Sequence, residues 1–357
     1  MDVYSLVWIA FAFAGVLAVA KFAPSLSAIA AFTYPNAKFN AIGSPYLQEK
    51  EISRLIESKN LEDFRNNVVS RDFVIEGESI GEIQRSIDDS LAGIIEMARK
   101  DSPDKVGKFY DAYLQKLDAR AIKDAVRNIM EGKKLEDARV FSPYSEEFLK
   151  RIKEGGGKDG LLSALSSSGM DEVRGLVESG SPFQEVEYAI DRNIVKNIGS
   201  ADVPGSCIHS RDVFVKRLTD VMNLKAILRA KYYGMEGVGK MLFGEGRELP
   251  SWKLEHMMKV KAIPEIVSLL EGTSYIKPLR DAIGAYGREG ISALEMALDR
   301  QLIRHAAAIA LEDTMGLGPG IRFIVEKEFE ARNLKAIAKG VGEGLPAEKI
   351  WKLMVVE

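Results

Sequence analysis

One stretch of the sequence has the residue types and the spacing of a phosphate-binding loop. Gly234, Gly239 and Lys240 fit the pattern Gly-x-x-x-x-Gly-Lys, in which backbone N–H groups and a lysine hold the phosphates of a nucleotide. The pattern also needs a Ser or Thr next, to coordinate magnesium, and a buried strand before the loop. Met241 occupies the magnesium position, and the basic stretch 228–233 has a helical pattern. We therefore expect Gly234 to cap the C-terminus of a helix, and no nucleotide to bind here.

No other combination of residues predicts catalysis or metal binding. The histidines His209, His256 and His305 are scattered, with no second ligand close by in sequence. No Ser/His/Asp order and no paired-carboxylate setting stands out, and the acids fit solvated helix faces. With 28% charged residues and a net charge of -3, the chain also lacks the basic footprint of a nucleic-acid-binding protein. We expect no catalytic residue, cofactor, metal ion, small-molecule substrate or nucleic-acid partner.

The segments that carry the polar residues repeat along the chain. Residues 223–227, Asn-Leu-Lys-Ala-Ile, return unchanged at 333–337. Residues 187–192, Glu-Tyr-Ala-Ile-Asp-Arg, recur as Glu-Met-Ala-Leu-Asp-Arg at 295–300, with nearly the same offset and in the same order. The period is that of a domain and exceeds the roughly 20 to 50 residues of a solenoid repeat.

A weaker copy of the same two motifs lies upstream. Residues 84–88 (Gln-Arg-Ser-Ile-Asp) stand for the first motif, and residues 118–123 (Asp-Ala-Arg-Ala-Ile-Lys) stand for the second, with Ala121 in place of the asparagine. The separation between the motif aspartate and the asparagine position is nearly the same in the three copies. It is measured from Asp88 to Ala121 in copy one, from Asp191 to Asn223 in copy two and from Asp299 to Asn333 in copy three. This common spacing predicts three equivalent units.

Each second motif lies in the middle of a predicted amphipathic helix, because Val221, Leu224 and Leu228 follow helical spacing and the other copies repeat it. An acid stands three positions before each asparagine position, on the flank of the apolar stripe. Acid and asparagine have two alternative roles: they bond the backbone of neighbouring helices, as buried polar groups usually do, or they contact a partner directly. The candidate residues of the repeated motifs are Asp118, Lys123, Asp191, Asp220, Asn223, Lys225, Asp299, Glu330, Asn333 and Lys335.

The N-terminus differs in composition from the rest of the chain. The run from Val3 to Ala20 carries no charge and is long enough to span a bilayer, and residues 22–34 are almost as apolar. A cleaved signal peptide is one alternative, although no basic residue precedes the run, and a helix packed on the body is another. We favour a membrane anchor with Lys21 and the body on the cytoplasmic side. The single Cys207 cannot form an internal disulfide, which fits the reducing cytosol.

Helical periodicity continues through the rest of the chain. No alternating strand pattern bounded by hairpin turns occurs, so we predict an all-α fold. Pro and Gly fall between the helical stretches, and Pro45 follows Ser44 as a helix start. We expect helices at 46–56, 61–67, 82–99, 104–130, 161–165 and 170–178, among others. The predicted organisation is an apolar segment, 1–33, followed by helical repeats at 34–139, 140–250 and 251–357.

Three all-α copies that carry Asn-Leu-Lys-x-Ile resemble the C subunit of archaeal and bacterial A/V-type ATP synthases, and its eukaryotic counterpart, the d subunit of the vacuolar proton pump. The resemblance covers residues 34–357 and is carried by the opening segment 34–42, the mid-chain helix 220–231 and the last long helix 330–339. It implies a funnel of three similar helical domains around a pseudo-threefold axis. Ala121 and the apolar N-terminus depart from the family pattern.

This resemblance implies a non-catalytic coupling subunit at the cytoplasmic face of the cell membrane. One side of the funnel would receive the central shaft made by the D and F subunits, and the other would sit on the proteolipid rotor ring. The protein would transmit torque for proton or sodium ion transport. Two alternatives are a membrane-anchored helical adaptor unrelated to a rotary motor, and an enzyme acting on a membrane lipid or small molecule, for which the sequence offers no site. The coupling ion, the direction of pumping and the face that meets each partner do not follow from the sequence.

Overall fold

The computed structural model describes Tyr4, Trp8 and residues 30–356 of the chain. These residues form helices and loops, and no β-strand occurs among them, which confirms the all-α prediction. Residues 30–42 form α1. The later helices are α2 (Glu49–Ile56), α3 (Leu61–Asn67), α4 (Ile80–Asp101), α5 (Gly107–Leu117), α6 (Ala119–Met130), α7 (Pro143–Gly155), α8 (Gly157–Ser167), α9 (Asp171–Glu178), α10 (Phe183–Ser200), α11 (Ile208–Tyr233), α12 (Ser251–Lys259), α13 (Ile263–Ser268), α14 (Ile276–Glu289), α15 (Ile291–Glu312), α16 (Gly318–Gly342) and α17 (Ala347–Trp351).

The predicted membrane anchor falls almost entirely outside the described residues. Of the run from Val3 to Ala20, the structure describes only Tyr4 and Trp8. Within the described part of the chain, no helix combines the length and the apolar character needed to cross a bilayer.

Local sequence signals set several helix ends. α3 has the predicted bounds, and the side chain of Asn60 accepts a hydrogen bond from the N–H of Asp63 at its start. α4 begins with a capping box, in which Ser79 and Glu82 each accept from the other's backbone N–H. α11 ends at Gly234, whose φ of 66° is left-handed and suits glycine, so the predicted helix cap is confirmed.

Two predicted helices differ from the structure. The stretch 104–130 was expected to be one helix, but α5 ends before Asp118 and α6 begins after it. The backbone of Asp118 has φ -80° and ψ -6°. Its carboxylate is bound by backbone further along the chain. The helix expected from Pro45 begins as a short 3-10 helix, Pro45–Leu47, and α2 starts only at Glu49.

The long helices of each copy pack on one another and on those of the neighbouring copies. Copy one contributes α4 with α5 and α6, copy two contributes α10 and α11, and copy three contributes α15 and α16. Between copies, α10 packs on α5 and α6, α11 packs on α15, and α16 packs on α4. The three sets of helices thus contact one another in a closed cycle. The division into three domains and the pseudo-threefold funnel shape stay predictions.

The apolar core is continuous across the copies. One cluster of buried residues extends from Phe32 to Val355 and includes members of every long helix. Aromatic contacts join the copies within it: Phe39 stacks on Phe323 at 4.8 Å between ring centroids, and Phe214 lies 6.3 Å from Phe109. The copies therefore share one core, and each depends on its neighbours for burial of its apolar face.

Candidate functional site

The acid of copy one holds the backbone at the start of copy two. Asp118 accepts hydrogen bonds from the N–H groups of Phe141 at 2.9 Å and Ser142 at 2.8 Å, immediately before Pro143 begins α7. The side chain is only 2% exposed. Burial raises the pKa of Asp118, and the two N–H groups act in the opposite direction.

The acid of copy two makes the equivalent contact at the boundary between copies two and three. Asp220 is fully buried and accepts from the N–H groups of Arg247, Glu248 and Leu249, at 3.0, 2.9 and 3.1 Å. These residues directly precede Pro250 and α12, just as the residues bound by the acid of copy one precede α7. An acid on the motif helix of one copy thus fixes the start of the next.

The acid of copy three closes the cycle by contacting copy one. Glu330 accepts from the N–H of Tyr46 at 3.1 Å and from Lys327 Nζ at 2.8 Å. Lys327, which is also fully buried, pairs with Asp72 at 2.9 Å. Burial raises the pKa of Glu330 to about 7, although Lys327 opposes this shift. The opening segment of copy one is therefore bound by copy three across almost the whole length of the chain.

The two asparagines hold the segments that follow their own helices. Asn223 donates to the carbonyl of Gly244 at 2.8 Å and accepts from Phe243 N at 2.7 Å. Asn333 bonds both the N–H and the carbonyl of Val355, at 3.0 and 2.7 Å, and donates to the carbonyl of Tyr46. Both asparagines are buried, so their side chains engage the backbone of this chain. The alanine at the equivalent position of copy one has no group that could make these bonds.

The motif lysines and aspartates form one ion pair at each interface between copies. Each lysine pairs with the aspartate of the next copy, and copy three pairs with copy one. The three pairs are Lys123 with Asp191 at 2.7 Å, Lys225 with Asp299 at 2.5 Å, and Lys335 with Asp88 at 2.6 Å. All the candidate residues of the repeated motifs thus lie at the interfaces between copies or between a motif helix and its following segment.

The three ion pairs have different surroundings. Burial alone would raise the pKa of Asp299, but Lys225 and Arg332 outweigh it and hold the pKa below its usual value. Burial raises the pKa of Asp191, with Lys123 opposing. The pair between copies three and one, Lys335 with Asp88, is the most exposed of the three, with 30% and 41% of the side chains accessible. The pair between copies two and three is the most buried of the three, and burial lowers the pKa of Lys225 although Asp299 opposes this shift.

At two of the three interfaces, the glutamate that opens the repeated hexapeptide forms a second ion pair. Arg127 pairs with Glu187 at 2.9 Å between copies one and two, and Arg229 pairs with Glu295 between copies two and three. At the equivalent place between copies three and one, the neutral Gln84 donates to the backbone carbonyl of Lys335 at 3.3 Å. The third interface therefore has a hydrogen bond where the other two have a pair of charges.

Sequence reasoning missed the residue that follows each motif aspartate. Arg192 donates to the carbonyls of Lys240 and Leu242, and Arg300 donates to the carbonyl of Met354, so each binds the segment after its copy's last long helix. Both arginines end the repeated hexapeptide, so the repetition itself could have identified them as candidate residues. Copy one has an acid instead of an arginine at this position. Asp89 accepts a hydrogen bond at 2.7 Å from Arg139, which lies in the segment after α6.

The stretch that resembles a phosphate-binding loop has a structural role. Beyond Gly234 the chain forms a short 3-10 helix, Val238–Met241, that packs against α11. Lys240 Nζ pairs with Glu185 at 2.8 Å. The lysine of the pattern is thus engaged by a carboxylate of this chain.

The histidines and acids within residues 30–356 do not assemble into a metal site. Among the residues that the structure describes, no group of three or more potential metal ligands comes together. His305 is buried between Ser274 and Gln301, and burial lowers its pKa to about 4. This histidine is therefore a neutral, hydrogen-bonded core residue at neutral pH.

These contacts define an all-α protein in which the helices and ion pairs of three internal copies connect each copy to the next. A family model described as ATP synthase (C/AC39) subunit matches residues 35–353, and the chain belongs to this family. Membership in this family confirms the resemblance. It contradicts the alternative of a membrane-anchored adaptor unrelated to a rotary motor.

Curated relatives span almost the same length as this chain. The A-type ATP synthase C subunit of Methanothermobacter thermautotrophicus is 28% identical over 90% of this chain and 87% of its own. That of Methanocaldococcus jannaschii is 28% identical over 92% and 87%. That of Pyrococcus abyssi is 25% identical over 90% of each chain.

Proposed function

We propose that this chain is a non-catalytic central-stalk subunit of an A/V-type rotary ATP synthase. It is a socket that receives the central shaft made by the D and F subunits and sits on the proteolipid ring, transmitting torque for proton or sodium ion transport. The observation that carries the proposal is the family match over residues 35–353.

The contacts between copies support a role in transmitting force. A load on any one copy passes to both neighbours, because each interface combines helix packing with an ion pair and a bond from a buried acid to backbone. Buried, fully bonded polar groups keep such an interface in one arrangement, since a displaced group would lose its partner. The buried acids and asparagines of the motifs are engaged in this way, so in this proposal they stabilise the socket and the partners bind the exposed surface around them.

The body lies at the cytoplasmic face of the cell membrane in this proposal. The uncharged run from Val3 to Ala20 would then be the membrane segment, on or near the rotation axis inside the ring. An axial position is required because a helix outside the ring would collide with stationary subunits as the rotor turns. The small residues of the run, Gly15 and several alanines, suit close packing against other helices.

Assembly from purified parts tests the proposed function. The shaft of D and F subunits and the detergent-solubilised ring are mixed with and without the full chain, and the products are separated by size. We expect a shaft–ring assembly only when the chain is present. A chain that binds neither part, or a shaft that binds the ring equally well without it, would contradict the proposal.

A further inference from the structure

The turns between the long helices of the three copies lie together at one end of the molecule. These turns join α4 to α5, α10 to α11 and α15 to α16, at residues 102–106, 201–207 and 313–317. The carboxylate of Asp313 accepts a hydrogen bond from Ser210, in the first turn of α11, at 2.6 Å. The hydroxyl of Ser102 lies 3.2 Å from that of Tyr110, and Tyr110 in turn lies against Gly320 in the first turn of α16. We call this region of the molecule the turn end.

α1 begins at the turn end and runs along α16 towards the middle of the molecule. Asn36 donates to the carbonyl of Gly316, just before α16, at 3.0 Å. One turn of α1 later, Phe39 stacks on Phe323. Successive residues of α1 therefore meet successive turns of α16, and the N-terminal end of α1 lies at the turn end.

The uncharged run from Val3 to Ala20 is connected to the body at the same end. Only the nine residues 21–29 separate this run from the described part of α1, and a chain of that length spans at most about 32 Å. α11 starts at the turn end, and its 26 residues extend over about 39 Å to the opposite end. A membrane that holds the run therefore faces the turn end.

Large apolar side chains are exposed at the turn end. They belong to the start of α1, the start of α11 and the two sides of the α15–α16 turn, which contact one another. Their exposed fractions are 64% for Tyr34, 43% for Ile208, 77% for Leu311 and 57% for Met315. Single exposed apolar side chains are common, but a group of them on adjoining segments indicates an interaction surface.

Charged side chains stand among these apolar ones. Glu312, Asp202, Asp104 and Lys105 are all exposed at or beside the three turns. Immersion of this surface in lipid acyl chains would remove water from these charges without supplying partners. Exposed apolar side chains surrounded by charged ones match the core and the polar rim of a contact with another protein.

We propose that the turn end is the face of the subunit that sits on the proteolipid ring, where Tyr34, Ile208, Leu311 and Met315 contact the ring subunits. This inference rests on the function proposed above, in which the apolar run lies inside the ring. In this orientation the C-terminal ends of α6, α11 and α16 point away from the membrane, towards the shaft.

Photocross-linking in the assembled complex of shaft, full chain and ring tests this orientation. A benzophenone maleimide is attached to Met315→Cys, since the native Cys207 is buried. The matched control is Tyr233→Cys, because Tyr233 is 65% exposed and lies at the opposite end of α11. We expect the label at position 315 to cross-link to ring subunits and the label at position 233 not to do so. Cross-links from position 315 to the shaft, or to lipid alone, would overturn the inference.

Charge substitutions at the turn end test whether the contact contributes to binding. We expect Met315→Lys to weaken the affinity of the full chain for the solubilised ring about tenfold, because the lysine loses its water against an apolar contact. Its affinity for the shaft and its thermal midpoint should not change. Tyr233→Lys is the control and should bind the ring within about twofold of the wild type.

The outcomes separate this inference from the proposed function. If Met315→Lys and Leu311→Lys both bind the ring as the wild type does, the turn end is not the ring contact, even though the subunit binds the ring. If the wild-type chain binds neither the ring nor the shaft, the proposed function fails, and the inference with it.

Discussion

Asp220 gives the most direct test of the role of the repeated acids. Both of its oxygens are used: Oδ2 accepts from the N–H groups of Arg247 and Glu248 and from the hydroxyl of Tyr275, and Oδ1 accepts from Leu249 N. We consider the substitution Asp220→Asn, which keeps the shape of the side chain. It replaces one accepting oxygen with an NH2 group that faces N–H donors.

The size of the effect follows from the bonds that are lost. At least one buried backbone N–H is left without an acceptor, which costs about 1–3 kcal/mol. The remaining bonds lose their charge-assisted character, since the acceptor becomes neutral. We therefore expect the free energy of unfolding to fall by about 2–4 kcal/mol. The loss should be concentrated where copy two holds the start of copy three.

Urea unfolding and amide hydrogen exchange measure this effect together. The exchange of the Arg247, Glu248 and Leu249 amides should rise in Asp220→Asn, because these groups lose their acceptor. Asp212→Asn on the same helix is the control, since Asp212 bonds its neighbour Arg211 and its side chain is 48% exposed. The reasoning is refuted if Asp220→Asn unfolds within about 0.5 kcal/mol of the wild type and the three amides keep their protection.

Three further predictions concern pH, nucleotide binding and the N-terminus. Burial raises the folded-state pKa of Glu330 to about 7 from its ordinary value of 4.5. The contribution of Glu330 to stability is therefore full below pH 4.5 and is lost as the pH rises through 7. We expect the urea midpoint to fall with rising pH more in the wild type than in Glu330→Gln. Calorimetric titration of the isolated protein with Mg-ATP should show no micromolar affinity, whereas affinity that vanished in Lys240→Ala would contradict the assignment of that stretch. Deletion of residues 1–21 should leave the circular dichroism spectrum and shaft binding intact but weaken retention on the ring, and cross-links from this segment to stator subunits would refute its axial position.

The sequence was sufficient for the fold class and for the positions of the motifs, because helical periodicity and internal repetition are local signals. α3 has its predicted bounds, and the Gly234 cap was expected. The partner of each motif acid could not be predicted in this way. Asp118 binds backbone 23 and 24 residues away, whereas Glu330 binds Tyr46 across 284 residues. The break at Asp118 was also missed, and the distant contact does not explain it, because Asp220 and Glu330 make such contacts within unbroken helices.

The chain itself joins copy one to copy two and copy two to copy three, but only side chains and packing join copy three to copy one. That last interface has Gln84 where the others have a second ion pair, and its motif pair is the most exposed. It also has the fully buried Lys327, held by Asp72 and Glu330. Parting the two copies separates Lys327 from Asp72, while Glu330 stays beside it on the same helix. Removing one partner of a buried pair costs about 3–5 kcal/mol, far more than breaking an exposed pair. The non-covalent interface therefore includes an ion pair that cannot part without exposing Lys327, and under the proposed function this pair would resist separation of copies three and one when the subunit is under load.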